Sequence, residues 1–219
     1  MDRLRAKLNA TILHDKVRPV QSTVYTFKGS ISYEGKEDII DLLCSCIEER
    51  ARAAVTYRSP SSAEDKTYDI EPLTLVDHGN ALYVIVAIPK HNRNIRILAV
   101  DRIKKLVKTG EVFEIPDGFD PHAYLTPSFG ITVEEPLNVQ IRFTAEAAFY
   151  IRERVWGQNQ SIQECKDGSI ILSFSASGIK EIAAWILSWG KGARALEPEA
   201  LVERVREELA GAAAGYGEG

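Results

Sequence analysis

The sequence is poor in the residues that staple, ligate or span. Only three cysteines occur among 219 residues, Cys44 and Cys46 as a C-x-C pair and Cys165 far downstream. A zinc centre wants four ligands in paired clusters, and the four histidines are scattered, so no metal site is expected. The same usage fits a reduced, cytoplasmic protein. No apolar run reaches the roughly 18 residues of a membrane span, and the N-terminal MDRLRAKLNATIL is charged rather than signal-like. A net charge of −4 argues against a surface that is basic throughout, while leaving room for a local basic pocket. Enzyme motifs are missing as well. GKGARAL sets a lysine between glycines without the spacing or following Ser/Thr of a phosphate loop. There is no G-x-S-x-G, no H-E-x-x-H and no Cys-His pairing, so no catalytic residue or cofactor is assigned and no enzyme is expected.

What is present is the composition of a soluble globular protein, 45% hydrophobic and 26% charged, long enough for one large or two small domains. Leu4, Leu8 and Ile12 mark an amphipathic helix over residues 1–13, and QSTVYTF reads as an isolated strand. These belong to a leading segment, 1–36. KEDIIDLLCSCIEERARA then sets Ile39, Ile40, Leu43 and Ile47 on one helical face, acids first and arginines last. From Ala54 the period changes to short β-rich runs: AAVTYRS, TYDIEPLTLV, ALYVIVAI, NIRILAVDRI and KKLVKTGEVF. About five short strands with tight connections predict a small barrel over 37–113, because closure removes exposed edges.

Residues 114–136 form an acidic linker rich in proline and glycine. Beyond it LNVQIRF alternates as a half-buried strand, and TAEAAFYIRERV reads as a helix capped by Thr144. A hairpin around Asp167-Gly168, a helix GIKEIAAWILSW, a strand GARAL and a helix PEALVERVREEL follow. The order βαββαβ plus a terminal helix predicts a ferredoxin-like domain over 137–210, with Trp156, Trp185 and Trp189 as packing residues. A frayed tail, 211–219, completes an α+β chain.

The candidate chemistry lies in the second half of the first domain. Lys90, Arg93, Arg96, Arg102, Lys104, Lys105 and Lys108 crowd one stretch in which Asp101 is the only acid, with His91 among them. Arg96 and Arg102 are six residues apart, which on one continuous strand puts both guanidiniums on the same side. Such a pair suits a phosphate or polyanion, and Tyr57 and Tyr83 could stack a base or donate to phosphate. The plainer alternative is a solvated turn and strand end, with Arg102 paired to Asp101 or Asp69, and tyrosines that are core with a wet hydroxyl.

Residues 37–130 resemble a WYL domain, whose name comes from a Trp-Tyr-Leu triplet on an SH3/Sm-like barrel. The triplet reads Leu82-Tyr83-Val84, keeping only the tyrosine, while AVTYRS, IEPLTLVDHGNALYVIVA, IRILAVDRI and FEIPDGFDPHAYLTPSFG match the surroundings. Residues 137–210 resemble the C-terminal extension, the WCX domain, that accompanies WYL domains in bacterial transcription regulators. VQIRF, AAFYIRERVWGQNQSI, DGSIILSF, GIKEIAAWILSWG and LEPEALVERVREEL carry that likeness. The resemblance implies an effector-sensing module whose barrel binds an anionic ligand, single-stranded nucleic acid or a nucleotide. It implies allosteric control of an attached helix-turn-helix that binds DNA, and a homodimer. The family's pocket positions correspond to Tyr57, Tyr83, Arg96 and Arg102, with His91 and Lys90 at the rim. Fewer than forty residues precede the barrel helix, too few for a winged helix-turn-helix, so none is expected in this chain, and residues 1–13 resemble the linker helix that follows one. The rival expectations are a dimerisation module without a ligand and a direct single-stranded DNA- or RNA-binding protein.

Overall fold

A computed structural model describes residues 31–217. The expected helix over 1–13 and the strand QSTVYTF lie outside the described residues. The chain divides into two compact units, 1–117 and 118–219.

The first unit opens with helix α1 (Glu37–Glu49), which buries Ile40, Leu43 and Cys46. The helix ends earlier than the sequence predicts. Arg50 takes the left-handed conformation that terminates it, and Arg52 already lies in strand β1 (Ala51–Tyr57). Strands β2 (Lys66–His78), β3 (Ala81–Ile88), β4 (Asn94–Ala99) and β5 (Ile103–Val112) complete an antiparallel sheet in the order β4-β3-β2-β1-β5. Alternation selects one face of it: Ala53 and Val55 of β1, Ile70 of β2 and Val84 and Val86 of β3 join the α1 residues in one core. Among the described residues β4 and β5 are not paired, so the sheet is open rather than the closed barrel expected. NIRILAVDRI is likewise not one strand. β4 ends at Ala99, a 3₁₀ turn occupies Val100–Arg102, and β5 begins at Ile103. The even-spacing argument for Arg96 and Arg102 therefore fails, because alternation does not survive a turn.

The second unit is a four-stranded antiparallel sheet in the order β7-β8-β6-β9, made of β6 (Leu137–Phe143), β7 (Gln158–Glu164), β8 (Ile170–Ala176) and β9 (Ala193–Glu197). The short helix α2 (Pro121–Leu125) precedes it. Helix α3 (Ala145–Arg152) joins β6 to β7, with the Thr144 hydroxyl accepting from the Ala147 amide as its N-cap. Helix α4 (Ile179–Ser188) joins β8 to β9, and α5 (Glu199–Gly217) follows, running to Gly217 within the stretch expected to fray. Val139, Ile141 and Phe143 alternate into the core against Leu172, Phe174 and Ile182, and the three tryptophans pack around it.

Residues 127–132 are strapped to this unit. The Ser177 amide donates to the Pro127 carbonyl (2.7 Å) and the Phe129 amide to the Ser177 carbonyl (3.0 Å). Glu181 Oε1 accepts from the Ile131 and Thr132 amides at 2.9 and 3.2 Å. Gly178 makes room for that carboxylate: it sits at φ +94°, and a Cβ there would lie 2.2 Å from Glu181 Oε2. Gly178→Ala is therefore expected to cost about 1–3 kcal/mol. A urea midpoint unchanged within about 0.5 kcal/mol would count against this account of the strap.

Candidate functional site

Three cations of the basic stretch, Lys90, Arg93 and Lys108, are paired with acids from other elements. Lys108 reaches back to α1, where its ammonium meets Glu49 at 2.5 Å and holds that carboxyl below its ordinary pKa. Lys90 lies 4.0 Å from Asp69. Arg93 donates from Nε to Glu71 Oε2 at 2.9 Å, and Arg52 donates to Glu71 Oε1 at the same distance. Glu71 is only 1% exposed, so two arginines enclose a buried carboxylate. Hydrogen bonds to Glu111 and then to Glu71 push the Arg52 pKa further up. This is a structural clamp, built where β2, β1 and the β3–β4 turn meet.

Two of the remaining cations, Arg102 and Lys104, meet Arg58 at the other end of the sheet. A cleft of about 410 Å³ is lined by Arg58, Ser59, Pro60, Ser62, Asp101, Arg102 and Lys104. Three features build it. First, β1 ends at Tyr57 and the chain turns through a serine-rich loop, in which the Ser62 amide donates to the Ser59 carbonyl. Second, the 3₁₀ turn after β4 brings Asp101 and Arg102 beside that loop, with the Arg58 amide donating to the Arg102 carbonyl at 3.4 Å. Third, the β1–β5 register shifts from Thr56 opposite Lys105 to Tyr57 opposite Ile103. That shift leaves Lys104 as an extra residue, and such bulges re-aim side chains.

The electrostatics of the cleft are cationic but tempered. Arg58 Nε donates to Asp65 Oδ1 at 2.6 Å, Arg102 Nε lies 3.9 Å from Asp101 Oδ2, and Lys104 has no ion pair among the described residues. Two guanidiniums, an ammonium and serine hydroxyls around one open volume can bind an oxyanion by charge-assisted and neutral hydrogen bonds.

The structure separates the residues singled out from sequence. Arg102 is in the cleft. Tyr57 stands next to it in sequence but turns toward the core, where its hydroxyl accepts from the Ala99 amide at 3.2 Å. It ties β1 to β4, two strands that are not neighbours in the sheet. Beside it burial, with Tyr57 adding, pushes the Tyr68 hydroxyl up. Tyr83 is half-buried on β3, opposite Val76 and Ala99. Arg96 is exposed on β4 opposite Val86, roughly 10 Å of strand from Ala99. Lys90 and His91 are exposed in a 3₁₀ turn at the far end of the β3–β4 hairpin. One small ligand cannot touch all six. The sequence pattern does not single out Arg58, Ser59 and Ser62, and it shows Lys104 only as part of a run. The available signal was RSPSS, a cation and hydroxyls directly after the strand-ending tyrosine.

Residues 38–107 match the family model of the WYL domain and residues 135–213 that of the WCX domain, together about two thirds of the chain. The chain belongs to the WYL–WCX family. The cleft and Glu71 with its two arginines thus lie within the residues matched as the WYL domain, which end at 107, short of the end of β5. Curated proteins give no significant match. Among solved structures, the proteasome accessory factor B/C (PafBC) of Arthrobacter aurescens is similar at 18% identity, over 82% of this chain and 27% of that one, with a TM-score of 0.39. A CRISPR Cas-related protein is similar at 14% identity, over 85% of this chain and 53% of that one, with a TM-score of 0.58. The latter likeness is one of fold. The chain spans 27% and 53% of the lengths of these two proteins.

Proposed function

We propose that this chain is the effector-sensing regulatory part of a bacterial transcription regulator, and a sensor rather than an enzyme. Its WYL domain takes an anionic ligand of nucleic-acid type, a single strand or a nucleotide, and controls DNA binding by an attached helix-turn-helix. One observation carries the reading: Arg58 converges with Arg102 and Lys104, more than forty residues on, at one open cleft lined also by serines. The family resemblance supports it. So does the architecture, which reads as an SH3/Sm-like sheet joined to a ferredoxin-like domain, the order β7-β8-β6-β9 being the one such a βαββαβ chain gives.

The proposed coupling runs through the 3₁₀ turn. Val100 is buried in the core, while Arg102, two residues on, faces the cleft. A ligand that draws on Arg102 therefore pulls on a segment anchored in the packing of the domain. Regulation requires the effector to bind two arrangements with different affinity, typically by ~1–3 kcal/mol. The test is titration of fluorescent single-stranded oligonucleotides into wild type and Arg58→Ala/Arg102→Ala/Lys104→Ala. Loss of binding in the variant supports the reading, and unchanged binding rejects it.

Homodimerisation in the cytoplasm belongs to the same proposal. It is favoured by an apolar group on the WCX domain, where Phe149, Tyr150 and Val155 are 62%, 54% and 87% exposed. Sedimentation equilibrium should return twice the chain mass, and a monomer at micromolar concentration would exclude it.

A further inference from the structure

Asp101 is the one acid that lines the cleft, and it is poorly satisfied. Its side chain is 26% exposed. Oδ1 is enclosed and accepts no hydrogen bond among the described residues, and Oδ2 has only the Arg102 guanidinium at 3.9 Å, beyond hydrogen-bond reach. A half-buried carboxylate without protein donors is unfavourable, and the Arg58 Nε in the same cleft already donates to Asp65. A carboxylate beside three cations also weakens the site for a bare anion. An acid there makes sense if the ligand brings a hydrogen-bond donor to the exposed part of this carboxylate, next to its own anionic group.

Building on the anion-binding reading above, we propose that Asp101 is the specificity-determining residue of the cleft and reads a sugar hydroxyl adjacent to a phosphate. The ligand is then a ribonucleotide strand rather than a deoxyribonucleotide one. In RNA the 2′-hydroxyl neighbours the 3′-phosphate, so one group can donate to Asp101 while the phosphate lies against Arg102 and Lys104. The 2′-hydroxyl is the group by which proteins tell RNA from DNA. In DNA the phosphate meets the same cations, but the carboxylate stays unpartnered and repels it. Specificity arises from that unpaired group as much as from the new bond.

The probes are fluorescent oligouridylate and oligodeoxyuridylate of about twelve nucleotides, an ordinary single-strand site size, which differ only in the 2′-hydroxyl. Wild type is expected to prefer the ribo-oligomer about tenfold, the worth of one hydrogen bond to a charged group. Asp101→Ala should close that gap and bind the deoxy-oligomer as tightly as wild type or more so. Asp101→Asn keeps the shape and an acceptor oxygen without the charge, and should leave an intermediate gap. Equal binding of both oligomers by wild type, or a gap that survives in Asp101→Ala, overturns the proposal while leaving the anion cleft standing. Binding of neither by wild type overturns the cleft reading itself, and this one with it.

Discussion

Replacing Arg52 and Arg93 together with alanine is expected to destabilise the first unit by about 3–5 kcal/mol, the usual cost of stranding a buried charge. Each oxygen of Glu71 has its own guanidinium, Oε1 from Arg52 and Oε2 from Arg93. With both gone the carboxylate is buried with neither water nor cation around it. Either single variant leaves one oxygen satisfied and should cost less than half as much. Adding Glu71→Met to the double variant removes the stranded charge and should recover most of the loss, because a buried ion network replaced by apolar groups is often neutral. Arg93 adds a second distinction. Asn92 and Arg93 take φ of 52° and 53°, a turn conformation in which the second position favours glycine. Arg93→Gly should therefore cost less than Arg93→Ala, since it relieves the backbone while losing the same ion pair. Urea denaturation of the five variants reads all of this. A double variant within about 1 kcal/mol of wild type would show that Glu71 is not held by these arginines.

Much of the second unit was legible in the sequence because its signals are local. The strict alternation of LNVQIRF gives β6, residue for residue, and Thr144 caps the helix that follows. Asp167-Gly168 gives the hairpin, with Gly168 at φ +79°. The break between β4 and β5 was not legible. No Gly, Pro or Asn marks it, and Val100 and Ile103, three apart, both bury, so an apolar run continues through the turn. The cleft is hidden from the sequence for a related reason. Arg58 and Lys104 lie 46 residues apart and meet only because β1 pairs with β5, a non-local contact that no window of sequence displays. The acids that neutralise the basic run are hidden in the same way, Glu71 and Asp69 on β2 and Glu49 on α1. A charge run counted along the chain overstates the free charge, which depends on what the fold sets beside each cation.

The free charge is what the ligand should feel, and it separates Arg102 from Arg96. Arg58→Ala/Arg102→Ala/Lys104→Ala is expected to weaken binding of a short labelled oligonucleotide by more than about 100-fold at low salt, two or three charge-assisted contacts being lost at once. The slope of log affinity against log salt should fall by about 2, since each phosphate contact on a single strand contributes about 0.7. The three side chains are exposed and outside the core, so the folded stability should stay near wild type. Arg96→Ala removes a cation equally exposed, but one on β4 and outside the cleft, and should change affinity less than about twofold with the salt slope nearly intact. Isothermal titration of the two variants across a salt series decides between a located site and a diffuse basic surface. Comparable losses in both would mean that the whole strand face binds, as a direct single-strand reader would. Loss confined to the triple variant would put recognition beside the 3₁₀ turn, the one segment that carries both a cleft arginine and a core valine.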